Sequence, residues 1–184
     1  MLEYPTKDLL EGYARDISLS EQTNVRKRSE DRSPKGATFL SHSSQDGSLL
    51  VGAVRLLEGH GAKVYVDKKD PTLPPYTDKN TAAGLKNRIH QSRKFVLLAS
   101  KNSKDSRWVP WELGIADEKK GLTRVAILPA VDSVGDTAWT KWEYLGLYDR
   151  VIWGDLEGVT DKVWMVISGQ SNIAVKLSTW LSRD

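Results

Sequence analysis

The chain predicts an α/β fold, a parallel sheet covered by helices on both faces, and three stretches carry that expectation. First, Ala37 to Ser43, Leu49 to Leu57 and Lys63 to Asp67 read as strand, helix and strand within about thirty residues, a βαβ unit whose two strands must run parallel. Second, Lys94-Phe95-Val96-Leu97-Leu98-Ala99-Ser100 is almost continuously apolar, the pattern of a strand buried on both sides. Third, the alternation repeats: a helical stretch from Trp108 to Ala116 leads into another apolar run, Arg124 to Val131.

Taken in order, residues 4–18 place Leu9, Leu10, Tyr13 and Ile17 at spacings of three and four, so an amphipathic helix is expected as an appended element. Residues 20–36 are polar and charged, with Arg26-Lys27-Arg28 and Ser33-Pro34-Lys35-Gly36, and read as a solvated linker. The expected organisation is therefore an N-terminal helix and linker over 1–36 and one domain over 37–184. Asp46 is positioned as the N-cap of the next helix, and Gly59-His60-Gly61 ends it. Residues 68–80, with Pro71, Pro74 and Pro75, form a long loop, and loops of that length inside a compact domain tend to be functional. A helix over 81–91 follows, with Ala82, Leu85 and Ile89 inward. Pro129 marks where ladder pairing should fail in the fourth strand. Val151–Trp153 and Val163–Ile167 look like short strands, and Ile173 to Leu181 like a closing helix.

Composition removes whole classes of function. The 184 residues, 39% hydrophobic, suffice for one substantial core. Without cysteine there is no disulfide, zinc–thiolate site or cysteine nucleophile, and three scattered histidines argue against a metal centre. The net charge of +3 is spread among acids and not gathered into a stripe, so nucleic-acid binding is not expected. Neither a leader nor a membrane-spanning run is evident, and a soluble cytoplasmic protein is the expectation.

In open parallel sheets ligands bind beyond the carboxyl ends of the strands. Ser41-His42-Ser43-Ser44, the 68–80 loop and the segment reaching Trp108 and Glu112 all follow strand ends and should converge. Pro110 fixes the start of the last helix, since its missing N–H is harmless only in the first turn. Trp108 and Glu112, four residues apart, then share a face. A helix N-terminus favours an anion, so Glu112 should stay ionised unless deeply buried. The plainer reading is an acid complementing a helix dipole beside a core tryptophan. No GxGxxG follows a strand, no GxxxxGK[ST] occurs, and no GxSxG elbow presents a serine to His42 and Asp46.

Together FLSHSSQD (39–46), VYVD (64–67), FVLLAS (95–100) and WVPWELGIA (108–116) resemble, in order and spacing, the Toll/interleukin-1 receptor (TIR) domain, especially its bacterial branch. The resemblance spans residues 37–153. It implies a flavodoxin-like sheet with central order 2-1-3-4-5, in which the 68–80 loop is the BB loop through which such domains self-associate. Many bacterial and plant members, and an animal axon-degeneration enzyme, cleave NAD at the nicotinamide–ribose bond. The resemblance places the catalytic glutamate at Glu112 and the nucleotide-lining tryptophan at Trp108, with Ser41, His42 and Ser43 near the ligand. Asp67 and Lys68, at the second strand's end, complete the expected substrate-binding set. The chain departs from the animal enzyme at Ser43 and Ser44, where that enzyme has an arginine pair; Lys68, Lys69 and Lys79 are candidates to replace the lost charge.

One carboxylate suits this chemistry. Nicotinamide leaves a cationic pyridinium as a neutral molecule, so no general acid is required, unlike ordinary glycosidases. The remaining task is to stabilise a ribosyl oxocarbenium ion and position an acceptor. Water would yield ADP-ribose, and an internal adenine nitrogen or ribose hydroxyl a cyclic isomer. The expected function is thus an NAD glycohydrolase or cyclase in antiphage signalling or NAD depletion, with NAD as substrate and no cofactor or metal, and with room for a partner sensor or effector protein. A non-catalytic adaptor acting by TIR–TIR assembly is the alternative, and a nucleoside deoxyribosyltransferase a more distant one.

Overall fold

The computed structural model describes residues 2–68, 79–141 and 143–183. Seven strands form one sheet: β1 (Thr38–Ser41), β2 (Val64–Tyr65), β3 (Lys94–Ala99), β4 (Val125–Pro129), β5 (Asp149–Gly154), β6 (Val163–Ile167) and β7 (Ala174–Lys176). Their order is β2-β1-β3-β4-β5-β6-β7, parallel through β5 and antiparallel in the last two pairings. The expected 2-1-3-4-5 centre is present, widened by an antiparallel edge.

The continuous apolar runs follow from this sheet being covered twice. On one face Leu40, Val96 and Leu98 meet α3 (Gly47–Gly59) and α7 (Leu177–Ser182), through residues such as Val54, Leu57, Trp180 and Leu181. On the other, Phe39, Phe95, Leu97 and Ile127 meet Leu85 and Ile89 of α4 (Lys79–Gln91) and Val109 and Leu113 of α6 (Trp108–Lys120). Neighbouring residues of one strand serve opposite cores, because strand side chains alternate. Parallel register places Phe39 beside Phe95, their rings stacked at 5.5 Å. Pro129 is the last residue of β4. The Ala130 N–H still reaches Ala99 on the β3 side, so the donor that proline lacks faces β5, where pairing has already stopped at Ile127.

The N-terminal region corrects the sequence reading in two ways. The helix expected over 4–18 is α1 (Lys7–Arg15), but it is part of the core: Leu10 and Ala14 are fully buried against α3. Residues 3–7 also bond the ends of two strands, Glu3 pairing with Trp153 and Lys7 and Pro5 with Val131. The stretch read as a linker is largely α2 (Leu19–Asp31). Ser18 accepts from the Glu21 N–H, and the Glu21 carboxylate accepts from the Ser18 N–H, a complete capping box. Buried Val25 and Ser29 anchor this helix, and the Ser29 carbonyl accepts the Val66 N–H at 3.1 Å just beyond β2. The basic residues face acids of the chain itself, Arg26 on Glu30 and Arg28 and Arg32 on Glu58.

Two further expectations change. The second strand is only two residues long, and residues 174–176 of the expected closing helix form β7 before α7 begins. The proline-bearing loop at 68–80 falls, apart from its first and last two residues, outside the described residues.

Candidate active site

The site begins where β1 ends. Ser41 is the last residue of that strand, and its hydroxyl donates to the Oε2 of Glu112 on α6, joining two residues 71 apart in the chain. Both are 0% exposed. A buried carboxylate requires such partners, because desolvation without hydrogen bonds is costly. His42 and Ser43 continue the loop and are also buried.

Asp46 holds this loop in place. It stands at the N-cap position of α3 but makes no side-chain cap bond, contrary to the sequence expectation. Its carboxylate accepts instead from the Ser43 N–H (3.0 Å), the Ser100 hydroxyl (2.7 Å) and the Asn102 amide (2.9 Å). The loop after β1 is thereby tied to Ser100, which follows β3, and to α5 (Lys101–Lys104). That tie brings two strand ends to one cleft.

The start of α6 forms the opposite wall. Just ahead of it the Ser106 hydroxyl accepts the Val109 N–H at 3.3 Å, and Pro110 occupies the first turn as its chemistry demands. The helix begins at Trp108, so Glu112 lies one turn further along the same face. Trp108 and Trp111 meet edge to face, ring centres 5.6 Å apart. A cleft of about 650 Å³ opens here, bordered by Ser43, Ser44 and Gln45 after β1, by Asn102, Asp105 and Ser106, and by Arg107, Trp108 and Trp111. Ser41, His42 and Glu112 do not border it.

Asp67 and Lys68 lie elsewhere. Asp67 accepts from the Tyr65 hydroxyl (2.8 Å) and pairs with Arg88 of α4 (2.7 Å), while Lys68 pairs with Asp31 of α2 (2.8 Å). Burial, with the Asp67 carboxylate second, pushes the Tyr65 phenol well above its ordinary range. Lys79 is exposed at the start of α4, and Lys69 is outside the described residues. The structure thus brings Ser41 to Glu112 and Ser43 to Trp108, and directs Asp67 and Lys68 to neighbouring helices. The sequence reading missed Arg107, Trp111, Asn102 and Asp105. Arg107 precedes Trp108 directly and Trp111 follows within the same turn, and position at a helix start was the available signal. Among the described residues no three His, Cys, Asp or Glu side chains gather as a metal site, and no helix is long and apolar enough to cross a membrane.

These features define a doubly wound α/β protein whose cleft lies at the carboxyl ends of β1 and β3, with a buried glutamate on the helix beside it. The TIR domain family profile matches residues 38–162, and the chain belongs to that family. It is 36% identical over 148 residues, 79% of this chain and 75% of the relative, to a Bacillus cereus (strain MSX-D12) protein named "Probable 3' cyclic ADP-D-ribose synthase ThsB'". It is also 30% identical over 83 residues, 44% of this chain and 22% of the relative, to a Cytobacillus dafuensis protein named "Putative cyclic ADP-D-ribose synthase TIR2".

Proposed function

We propose that this chain is a cyclic ADP-ribose synthase that cleaves the nicotinamide–ribose bond of NAD in the cytoplasm, as part of antiphage signalling. The observation that carries the reading is the Glu112 carboxylate, held by the Ser41 hydroxyl one helical turn beyond Trp108, at the end of the sheet where ligands of this fold class bind. The names of both relatives support the product class. Residues 37–184 are the catalytic unit in this reading, and residues 1–36 brace it.

The bond from the ribose anomeric carbon to the pyridinium nitrogen breaks, its electron pair stays on nitrogen, and neutral nicotinamide leaves. The Glu112 carboxylate stabilises the resulting oxocarbenium ion, with Trp108 as the aromatic wall. An adenine nitrogen or ribose hydroxyl of the same molecule then bonds to the anomeric carbon and releases one proton.

The seclusion of Glu112 demands an opening step, because a carboxylate with no exposure cannot touch substrate. Self-association through the 68–80 loop is the step this reading supplies. The test is incubation of purified protein with NAD and chromatographic separation of the products. Nicotinamide and a cyclic isomer are expected. Absence of cleavage over a wide range of protein concentration overturns the reading and leaves a non-catalytic adaptor.

A further inference from the structure

We propose that Arg107 is the phosphate-binding residue of the cleft, taking the pyrophosphate of a dinucleotide while the nicotinamide end lies toward Trp108. The inference rests on the NAD reading above for the identity of the ligand, and on the cleft itself for the residue.

Arg107 is the single basic residue among the described residues that border the cleft. Other cations are paired with acids, Lys68 with Asp31, Arg88 with Asp67 and Lys101 with Asp132, while Lys86 lies over the ring of Trp111 without itself bordering the cleft. Arg107 is exposed and makes no ion pair among the described residues. It also stands at the N-cap of α6, a thirteen-residue helix whose start is rich in unused donors. The Val109 N–H is taken by Ser106 and Pro110 has none, whereas the N–H groups of Arg107 and Trp108 have no acceptor among the described residues. A guanidinium and two amides on one helix end match the geometry of phosphate oxygens. Across the cleft, Ser43, Ser44 and Asn102 add short polar side chains. Asp105, the acid on the rim, would repel a phosphate and accept instead from a ribose hydroxyl.

This placement answers the charge deficit that Ser43 and Ser44 create. The cation is supplied from the start of α6 and not from the loop after β1. It sits next to Trp108, so one helix end would orient both halves of the substrate.

The test is calorimetric titration of the full chain with ADP-ribose and, separately, with adenosine, for the parent, Arg107→Gln and Arg107→Lys. Arg107→Gln should weaken ADP-ribose binding roughly tenfold, equivalent to about 1.4 kcal/mol, and leave adenosine binding unchanged. Arg107→Lys should recover part of the loss, and the parent's affinity should fall with salt more steeply than that of Arg107→Gln. In steady state the loss should appear in KM for NAD with little change in kcat. Equal ADP-ribose affinity in parent and Arg107→Gln, equal loss of adenosine binding, or no ADP-ribose binding by the parent would each overturn the assignment. Arginine-dependent ADP-ribose binding by a parent that never cleaves NAD would sink the catalytic reading and leave this subsite standing.

Discussion

The Ser41 hydroxyl bonds the Glu112 carboxylate, and the pair allows charge to be separated from shape. Glutamine keeps the length of the side chain and can still accept the Ser41 hydroxyl, but it cannot offset a developing cation. Glu112→Gln should therefore fold and melt like the parent while NAD cleavage falls by roughly 10²- to 10³-fold. Cleavage at the parental rate, measured as nicotinamide released, would show that Glu112 has another role. Lys120, at the far end of the same helix, allows a pH test. Its ammonium donates to the Ser92 carbonyl at 2.5 Å, yet burial, reinforced by Arg124 and Lys119, lowers its pKa to about 8. The folded chain thus releases this proton before the unfolded chain does, so between about pH 8 and the ordinary lysine value of about 10.4 the unfolded state binds more protons and stability rises with pH. Lys120→Met should remove that contribution. Denaturant melts at several pH values should show the parent gaining on the variant across this window, and parallel pH curves would refute the claim.

At the scale of elements, the contact between α1 and α3 depends on one missing side chain. A Cβ added at Gly52 would lie 1.9 Å from the Leu10 carbonyl oxygen and 2.6 Å from its carbon, both backbone atoms that no rotamer can move. Gly52→Ala must push α1 away from the core. It should cost on the order of 1–3 kcal/mol, a fall in Tm of roughly 2–12 °C for a chain of this size. Gly114 is the control, because it is exposed on α6 and nothing lies within 4 Å of its added Cβ. Gly114→Ala should stabilise by up to about 1 kcal/mol through helix propensity alone. Thermal melts of the two variants moving in the same direction would contradict this account of the packing. Helix α2 shows a different balance. It is built from polar residues, a capping box and ion pairs, and only Val25 and Ser29 are buried, so it is held by docking against α3 and β2 more than by an apolar face of its own.

For the whole molecule, the proposed function assigns catalysis to a carboxylate sealed within a single chain, and it therefore ties activity to the assembled state. Specific activity on NAD should rise with protein concentration, and light scattering should find larger species over the same range; strict proportionality of rate to enzyme, with a monomer throughout, would remove assembly from the mechanism. The alternation of strands and helices was readable from the chain because the period of apolar residues is a local property. Phe95 to Ala99 is apolar at every position because both faces of its strand are covered, and no other fold is needed to explain it. Trp108 and Glu112 were readable for the same reason, since four residues on a helix is a short-range distance. Partnership between polar side chains is not local. Nothing near Asp46 in the sequence announces that its carboxylate will hold Ser100 and Asn102, more than fifty residues away, and leave the cap unmade. Asp67 and Lys68 follow a strand end, and nothing in their own stretch announces that Arg88 and Asp31, from two different helices, will pair with them. Residues 19–31 lack an apolar stripe, so their helix became visible only with α3 and the edge of β2 beside it. Local patterning wrote the framework into the chain. Which cation, which acid and which hydroxyl meet at the cleft was settled by folding, because each of those choices is a competition among partners that only the packed molecule brings within reach.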